Sequence, residues 1–276
     1  MRQLRSFAIA LCALCILNAC SKDDGQGTTT GDPDITSGGE AETGLHIEEG
    51  QRAPVPEGDT PQLVSGHAHN RRYGAGTTVE IPYTVRHWEL AQGGNHVHLI
   101  FDDHPYIPIY DVSESINLNA VLEANGIELT EGWHMVRAFL SRPTHESVKV
   151  GGHASTWFGF FYGEAPGSGP IEHDDPLLTY SRPKGCYAGA DAERILLDFQ
   201  VRAAELGSGG HSVRVTIDGE QIGEPLAQWV PHYIVGLEPG EHAIGLELLD
   251  ASGAAVEAPF AEDGTIRVAG DGESCP

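Results

Sequence analysis

Two stretches of the chain alternate apolar and other residues with a period of two. Val97, Leu99 and Phe101 alternate with His96, His98 and Ile100. Val213, Val215 and Ile217 alternate with Ser212, Arg214 and Thr216. Further on, His242, Ile244, Leu246 and Leu248 share one face, and Ala243, Gly245 and Glu247 share the other. Successive side chains of a strand point to opposite faces, so this pattern predicts half-buried strands. Gly93-Gly94, Gly209-Gly210 and Pro239-Gly240 supply the turns between them. No long stretch carries a 3.6-residue pattern, and Val112–Ala124 reads as a short helix or excursion.

The two strand-rich stretches belong to an internal repeat. Residues 79–103 align without a gap to residues 195–219, and 129–140 align to 237–248. Two matching blocks in the same order predict two copies of one domain, over about 61–180 and 181–276. Short strands punctuated by turns, in copies of about 100 residues, fit an immunoglobulin-like β-sandwich. The expected fold is therefore all-β, with two tandem Ig-like β-sandwich domains. A permuted or jelly-roll sandwich is the alternative, because pattern alone does not set strand order. The segments over residues 133–149 and 218–250 resemble bacterial surface proteins with repeated Ig-like modules. That resemblance implies fold and exposure, and transfers no active-site residue.

The N-terminus adds an address. Arg2 and Arg5 precede an apolar run from Phe7 to Leu17, then Leu17-Asn18-Ala19-Cys20. A basic head, a short apolar stretch and small residues read as a signal peptide over 1–19. The run is too short to span a bilayer as a finished helix. Its end resembles a bacterial lipobox, which implies a diacylglycerol thioether on Cys20 and a membrane anchor through it. An ordinary signal peptide is the other reading. Ser21 and Lys22 supply no inner-membrane retention aspartate, which by resemblance to enterobacterial sorting points to the outer membrane. Residues 20–60 are rich in Gly, Thr, Asp, Glu and Pro and lack aromatics, so a disordered acidic stalk is expected there.

Loss of Arg2 and Arg5 with the signal takes 16 basic residues to 14, against 40 acidic ones, a formal charge of −26. Such a surface repels a phosphate backbone and argues against nucleic-acid binding. Of the five cysteines, Cys12 and Cys15 leave with the signal and Cys20 is lipidated. Cys186 and Cys275 remain, and an exported compartment permits a disulfide between them.

Histidine is the chemical oddity, with 14 in the chain. His67-Ala68-His69 and His96-Val97-His98 are H-x-H pairs whose rings project from one face of a strand about 7 Å apart. Convergence of His67, His69, His96 and His98, with His87 as a further candidate, would make a site for zinc or copper. The second copy has Ser212 and Arg214 at the positions of His96 and His98. The histidines are therefore either a site added to one copy or drift on a solvent face. His134 and His242 match across the repeat and read as structural, each bonding a turn backbone. Asp102 and Asp218 read as turn residues bonding their own backbone. The run Ser141–Ser147 reads as an inter-strand loop. The stretch Trp157–Tyr162 reads as packing between the two domains in preference to a carbohydrate platform.

No G-x-S-x-G elbow, HExxH helix or Walker loop is present. The leading expectation is a non-catalytic surface lipoprotein binding an envelope protein or glycan. A histidine-based metal-binding lipoprotein is the alternative, and a hydrolase with an unrecognised site comes last.

Overall fold

The computed structural model describes residues 44–164 and 166–276. The signal segment and Cys20 lie outside them. No helix among the described residues is long and apolar enough to cross a membrane.

The described chain opens with β1 (His46–Glu49). The first copy then supplies β2 (Gln62–Ser65), β3 (Arg71–Tyr73), β4 (Glu80–Ile81), β5 (Tyr83–Arg86), β6 (His96–Phe101) and β7 (Ile107–Ile109). It ends with β8 (Ile116–Asn117), α1 (Leu118–Ala124), β9 (Gly132–Ser141) and β10 (Ser155–Tyr162). The second copy supplies β11 (Leu177–Arg182), β12 (Gly185–Tyr187), α2 (Ala190–Glu193), β13 (Arg194–Arg202) and β14 (Ser212–Ile217). It ends with β15 (Glu220–Gln221), β16 (His232–Val235), β17 (Gly240–Leu249) and β18 (Asp263–Val268).

The repeat in sequence is a repeat in topology. The order β3-β10-β9-β6-β7 in the first copy matches β12-β18-β17-β14-β15 in the second. Facing sheets are β2-β5 with β4-β8 in the first copy, and β1-β16-β13-β11 in the second. Pro82, which lacks a ladder N–H, separates β4 from β5 where the second copy has one continuous β13. Each copy has its own apolar core. Val97, Leu99 and Phe101 point into the first, and Val213, Val215 and Ile217 into the second. The predicted inward register is therefore the one adopted.

One structural motif is also duplicated. Asp102 and Asp218 sit at positive φ, 48° and 54°. Asp102 accepts from His134 Nδ1 at 2.7 Å and from the Met135 N–H at 2.8 Å. Asp218 does the same with His242 at 2.7 Å and Ala243 at 2.9 Å. The other ring nitrogen of each histidine reaches a carbonyl, Thr130 O at 2.8 Å and Glu238 O at 2.9 Å. The histidines thus bond the turn backbone as expected. The aspartates do not bond their own backbone: they clamp the neighbouring strand.

Two features differ from the sequence reading. His46–Glu49, inside the stretch expected to be a disordered stalk over 20–60, pairs antiparallel with β16. Ile47 packs on the second core there, a single apolar anchor that composition averaged over forty residues hides. The expected division near residue 180 falls inside β11, which pairs with β13 on both sides of a register shift between Tyr180 and Arg182. The stretch Val112–Ala124, expected to be a short helix or excursion, contains α1 in its C-terminal part, capped by the Asn117 side chain.

The outer face of the first copy's five-stranded sheet is buried. All six residues of β6 are buried, whereas β14 alternates buried and half-buried. The covering surface is the β11–β13 edge of the second copy. Met135 and Trp157 pack with Leu177 across the seam. Gly159 in β10 lets Trp133 approach, since a Cβ there would lie 2.5 Å from the Trp133 ring. Polar groups cross as well. Lys149 and Asp198 pair with both side chains 0% exposed, and Lys149 Nζ also donates to Ser147 Oγ at 2.7 Å. Arg137 pairs with buried Glu262, and Arg202 donates to Ser155 O at 2.9 Å. Cys186 and Cys275 are disulfide-bonded, closing an 89-residue separation within the second copy.

Removing one partner from a buried ion pair leaves an uncompensated charge, which costs about 3–5 kcal/mol. Lys149→Met is expected to destabilise by about that amount, with Lys149→Met/Asp198→Leu recovering most of it in urea denaturation. A single variant as stable as the parent contradicts the seam as drawn.

Candidate metal centre

β6 delivers His96 and His98 to its outer face, the face covered by the second copy. They are 1% and 0% exposed, so neither lies on a solvent face. The strand spacing turns both Nε2 atoms toward each other at 3.0 Å. His145 enters from the loop after β9. Its Nδ1 lies 3.4 Å from His98 Nε2. The three ligand atoms lie within 4.8 Å of one another, and among the described residues this is the group of three so placed.

The loop presenting His145 is held tightly. Its backbone closes through Arg142 N to Glu146 O at 3.0 Å and His145 N to Arg142 O at 2.9 Å. His145 itself takes φ +66°, a conformation a non-glycine residue adopts at a cost when surroundings enforce it. Arg142 donates to Ala53 O at 3.1 Å and Pro54 O at 2.8 Å, and Ala53 N donates to Glu146 at 3.1 Å. Residues 53 and 54, expected to be stalk, thus strap the histidine loop.

Partners of the remaining ring nitrogens fix the tautomers. His96 Nδ1 faces the Gly94 carbonyl at 2.9 Å, so it carries the proton and Nε2 offers a lone pair. His98 Nδ1 lies 3.1 Å from Ser181 Oγ on β11. A hydroxyl both donates and accepts, so Ser181 suits His98 in either tautomer. Without a metal, His98 Nε2–H donates to His96. With one, the proton moves to Nδ1 and both Nε2 atoms face the ion. Such outer hydrogen bonds are what orient metal-binding imidazoles.

Tyr106 and two cations complete the surroundings. The Tyr106 ring stacks on His98, with centroids 3.6 Å apart and planes 6° apart. Its hydroxyl lies 3.2 Å from His145 Nδ1 and accepts from Arg182. Lys184 donates to Tyr106 O at 2.8 Å. Burial pushes the Tyr106 hydroxyl up to about 12. Burial, then the facing His96 and His145, then Arg182 and Lys184, hold His98 well below the usual histidine range. Burial and Arg182 lower His96. Burial first, and then Arg182, His96 and Lys184, bring His145 to about 4. All three imidazoles are consequently neutral at pH 7, the form that binds metal.

The other expected histidines lie elsewhere. His67 stacks on Phe158 at 3.9 Å and bonds Tyr73 Oη at 2.6 Å. His69 accepts from the Gly159 N–H at 2.9 Å and meets the Trp157 ring edge-on. His87, at φ +56° opposite Ala203 at φ +50° in the repeat, pairs with Asp59 at 3.2 Å. The expected convergence of His67 and His69 with His96 and His98 does not occur, because their contacts are on β10 and β9 lies between β10 and β6. The sequence reading missed His145, Ser181 and Tyr106. His145 sits in a run legible only as a loop, and nothing local marks a partner 47 residues from His98.

In each copy a five-stranded sheet faces a second set of strands, a β-sandwich arrangement. No protein-family model matches the chain, and no curated protein does. Among solved structures, fibronectin(III)-like modules of CbhA from Clostridium thermocellum are 14% identical, with TM-score 0.28 over 75% of this chain and 94% of that one. The SGBP-B protein of the Bacteroides ovatus mixed-linkage glucan utilization locus, solved with a mixed-linkage heptasaccharide, is 12% identical, with TM-score 0.22 over 75% of this chain and 47% of its own. The central fibronectin-III array of RIM-binding protein is 12% identical, with TM-score 0.27 over 78% and 70%. At such scores the likeness carries no functional argument.

The direction of the pKa shifts gives a pH signature. A histidine held below its unfolded value of about 6.5 binds its proton more readily in the unfolded chain. Its contribution to stability is full above that pH and is lost as pH falls toward the folded value. For His145 the window runs from about 6.5 to about 4. His134 has the opposite sign: burial opposes protonation, but the Asp102 carboxylate and the Thr130 carbonyl together outweigh it and the pKa is raised. Its contribution is full below the unfolded value and is lost on the alkaline side. The stability advantage of metal-free native protein over His145→Gln, read from urea midpoints, is expected to shrink between pH 6.5 and 4. A constant difference across that window contradicts the buried neutral His145.

Proposed function

We propose that this chain is an exported envelope protein, lipid-anchored through Cys20, that holds one zinc or copper ion where its two sandwiches meet. His96, His98 and His145 are the ligands. The observation that carries the reading is the facing of three imidazole nitrogens at 3.0 and 3.4 Å, on rings kept neutral by burial. Donor atoms around a four-coordinate ion stand roughly 3.3 Å apart when each bond is about 2.0–2.1 Å, so these two spacings fit, and the third pair, within 4.8 Å, would draw in around the ion. Imidazole suits zinc and copper, and the Gly94 carbonyl and Ser181 hydroxyl orient two of the three rings. A binding role accounts for each group in the cluster without invoking a reaction. The non-catalytic surface-binding expectation narrows to a ligand chemistry, and the anchor remains part of the reading as its address.

The test is metal analysis of protein purified without a His tag. One zinc or copper ion per chain is expected, with binding raising the unfolding temperature by mass action. At a hundredfold excess over Kd this is worth about 2.7 kcal/mol. His145→Ala is expected to weaken binding by more than the ~10–100-fold typical of losing an orienting partner. His67→Ala and His69→Ala are expected to leave it unchanged. Failure of the native chain to bind either metal, or native-like binding by His145→Ala, sinks the reading.

A further inference from the structure

Three neutral imidazoles bring no negative charge to a dication, and the cluster contains no Asp or Glu oxygen. Arg182 and Lys184, both beside Tyr106, add positive charge to the same neighbourhood. A divalent ion held by the histidines alone would stand unbalanced near two cations, in a place where burial strengthens every charge interaction. An anionic donor in the coordination sphere would offset that charge.

We infer that the Tyr106 phenol oxygen is the fourth donor to the ion held by His96, His98 and His145. The inference rests on the three-histidine reading and adds the missing charge to it. Its basis is spacing: Oη lies 3.2 Å from His145 Nδ1, continuing the run of 3.0 and 3.4 Å between the three nitrogens. The ring is held in place by its stack on His98 and by Lys184 Nζ 4.3 Å from its centroid. Arg182 already donates to Oη, and a bond from the metal to that oxygen leaves this donor facing a negative atom. When the metal takes the His145 Nδ1 lone pair, the phenol proton loses its acceptor. The oxygen–metal bond forms and that proton passes to water. Arg182 belongs to β11 of the second copy, so that copy supplies both an orienting hydroxyl, from Ser181, and the cation that stabilises the donor. An anionic oxygen favours the divalent over the monovalent state of copper.

The test is titration of the intact folded chain with Cu(II), followed by visible absorption. One equivalent is expected to produce a tyrosinate-to-copper charge-transfer band. Tyr106→Phe keeps the stack on His98, and it is expected to bind Cu(II) about 10–100-fold more weakly, without the band. Its affinity for Cu(I), measured anaerobically, is expected to fall much less. Tyr110→Phe, whose ring is 5.1 Å from that of His96, is expected to keep the band and serves as the control. Copper binding with no band in the native chain, or a band that survives in Tyr106→Phe, overturns the fourth donor while leaving the three histidines standing. No copper or zinc binding at all overturns the three-histidine reading and the fourth donor with it.

Discussion

The burial of one polar sheet face governs the rest of this molecule. In an isolated sandwich the side of β6 carrying His96 and His98 would face water. Here the second copy covers it, and the two rings become 1% and 0% exposed. Burial changes their chemistry twice. It drives the imidazoles to the neutral form, and it leaves their facing nitrogens needing either a shared proton or an ion. The same seam buries Lys149 with Asp198 and Arg137 with Glu262, pairs that hold only while both copies stay docked. Few basic residues exist in this acidic chain, and several of them lie at the seam and not on the surface.

The duplication makes the asymmetry readable. Both copies keep the Asp–His clamp at the end of the sixth and fourteenth strands, and both keep the positive-φ positions at His87 and Ala203. These are requirements of the fold. Ser212 and Arg214 replace His96 and His98 in the second copy, where Arg214 pairs with half-exposed Glu247 on an uncovered face. A histidine pair appears where the sheet face is covered, and ordinary surface chemistry appears where it is not.

Much of the fold was legible in the sequence for simple reasons. Period-two alternation over Val97–Phe101 and Val213–Ile217 set the inward faces, and gapless alignment set the repeat. Elimination left Cys186 with Cys275. What was not legible depends on contacts between distant segments. Nothing in His96-Val97-His98 says that β11 lies over it, so a buried pair and an exposed pair look alike. His145 reaches the site through a loop strapped by Ala53 and Pro54, residues whose composition reads as linker. Ile47 anchors β1 with one apolar side chain, too little to alter an average. His67-Ala68-His69 has the same spacing as His96-Val97-His98, yet its rings serve Tyr73, Phe158 and Gly159.

The central claim is that one ion sits between the two copies on three particular nitrogens. Anomalous diffraction from crystals grown with one equivalent of zinc reads this directly. The account predicts one strong peak about 2.0–2.1 Å from His96 Nε2, His98 Nε2 and His145 Nδ1. Absence of density there, with His98 Nε2 still hydrogen-bonded to His96 Nε2, would contradict it, as would a peak held instead by His67 and His69.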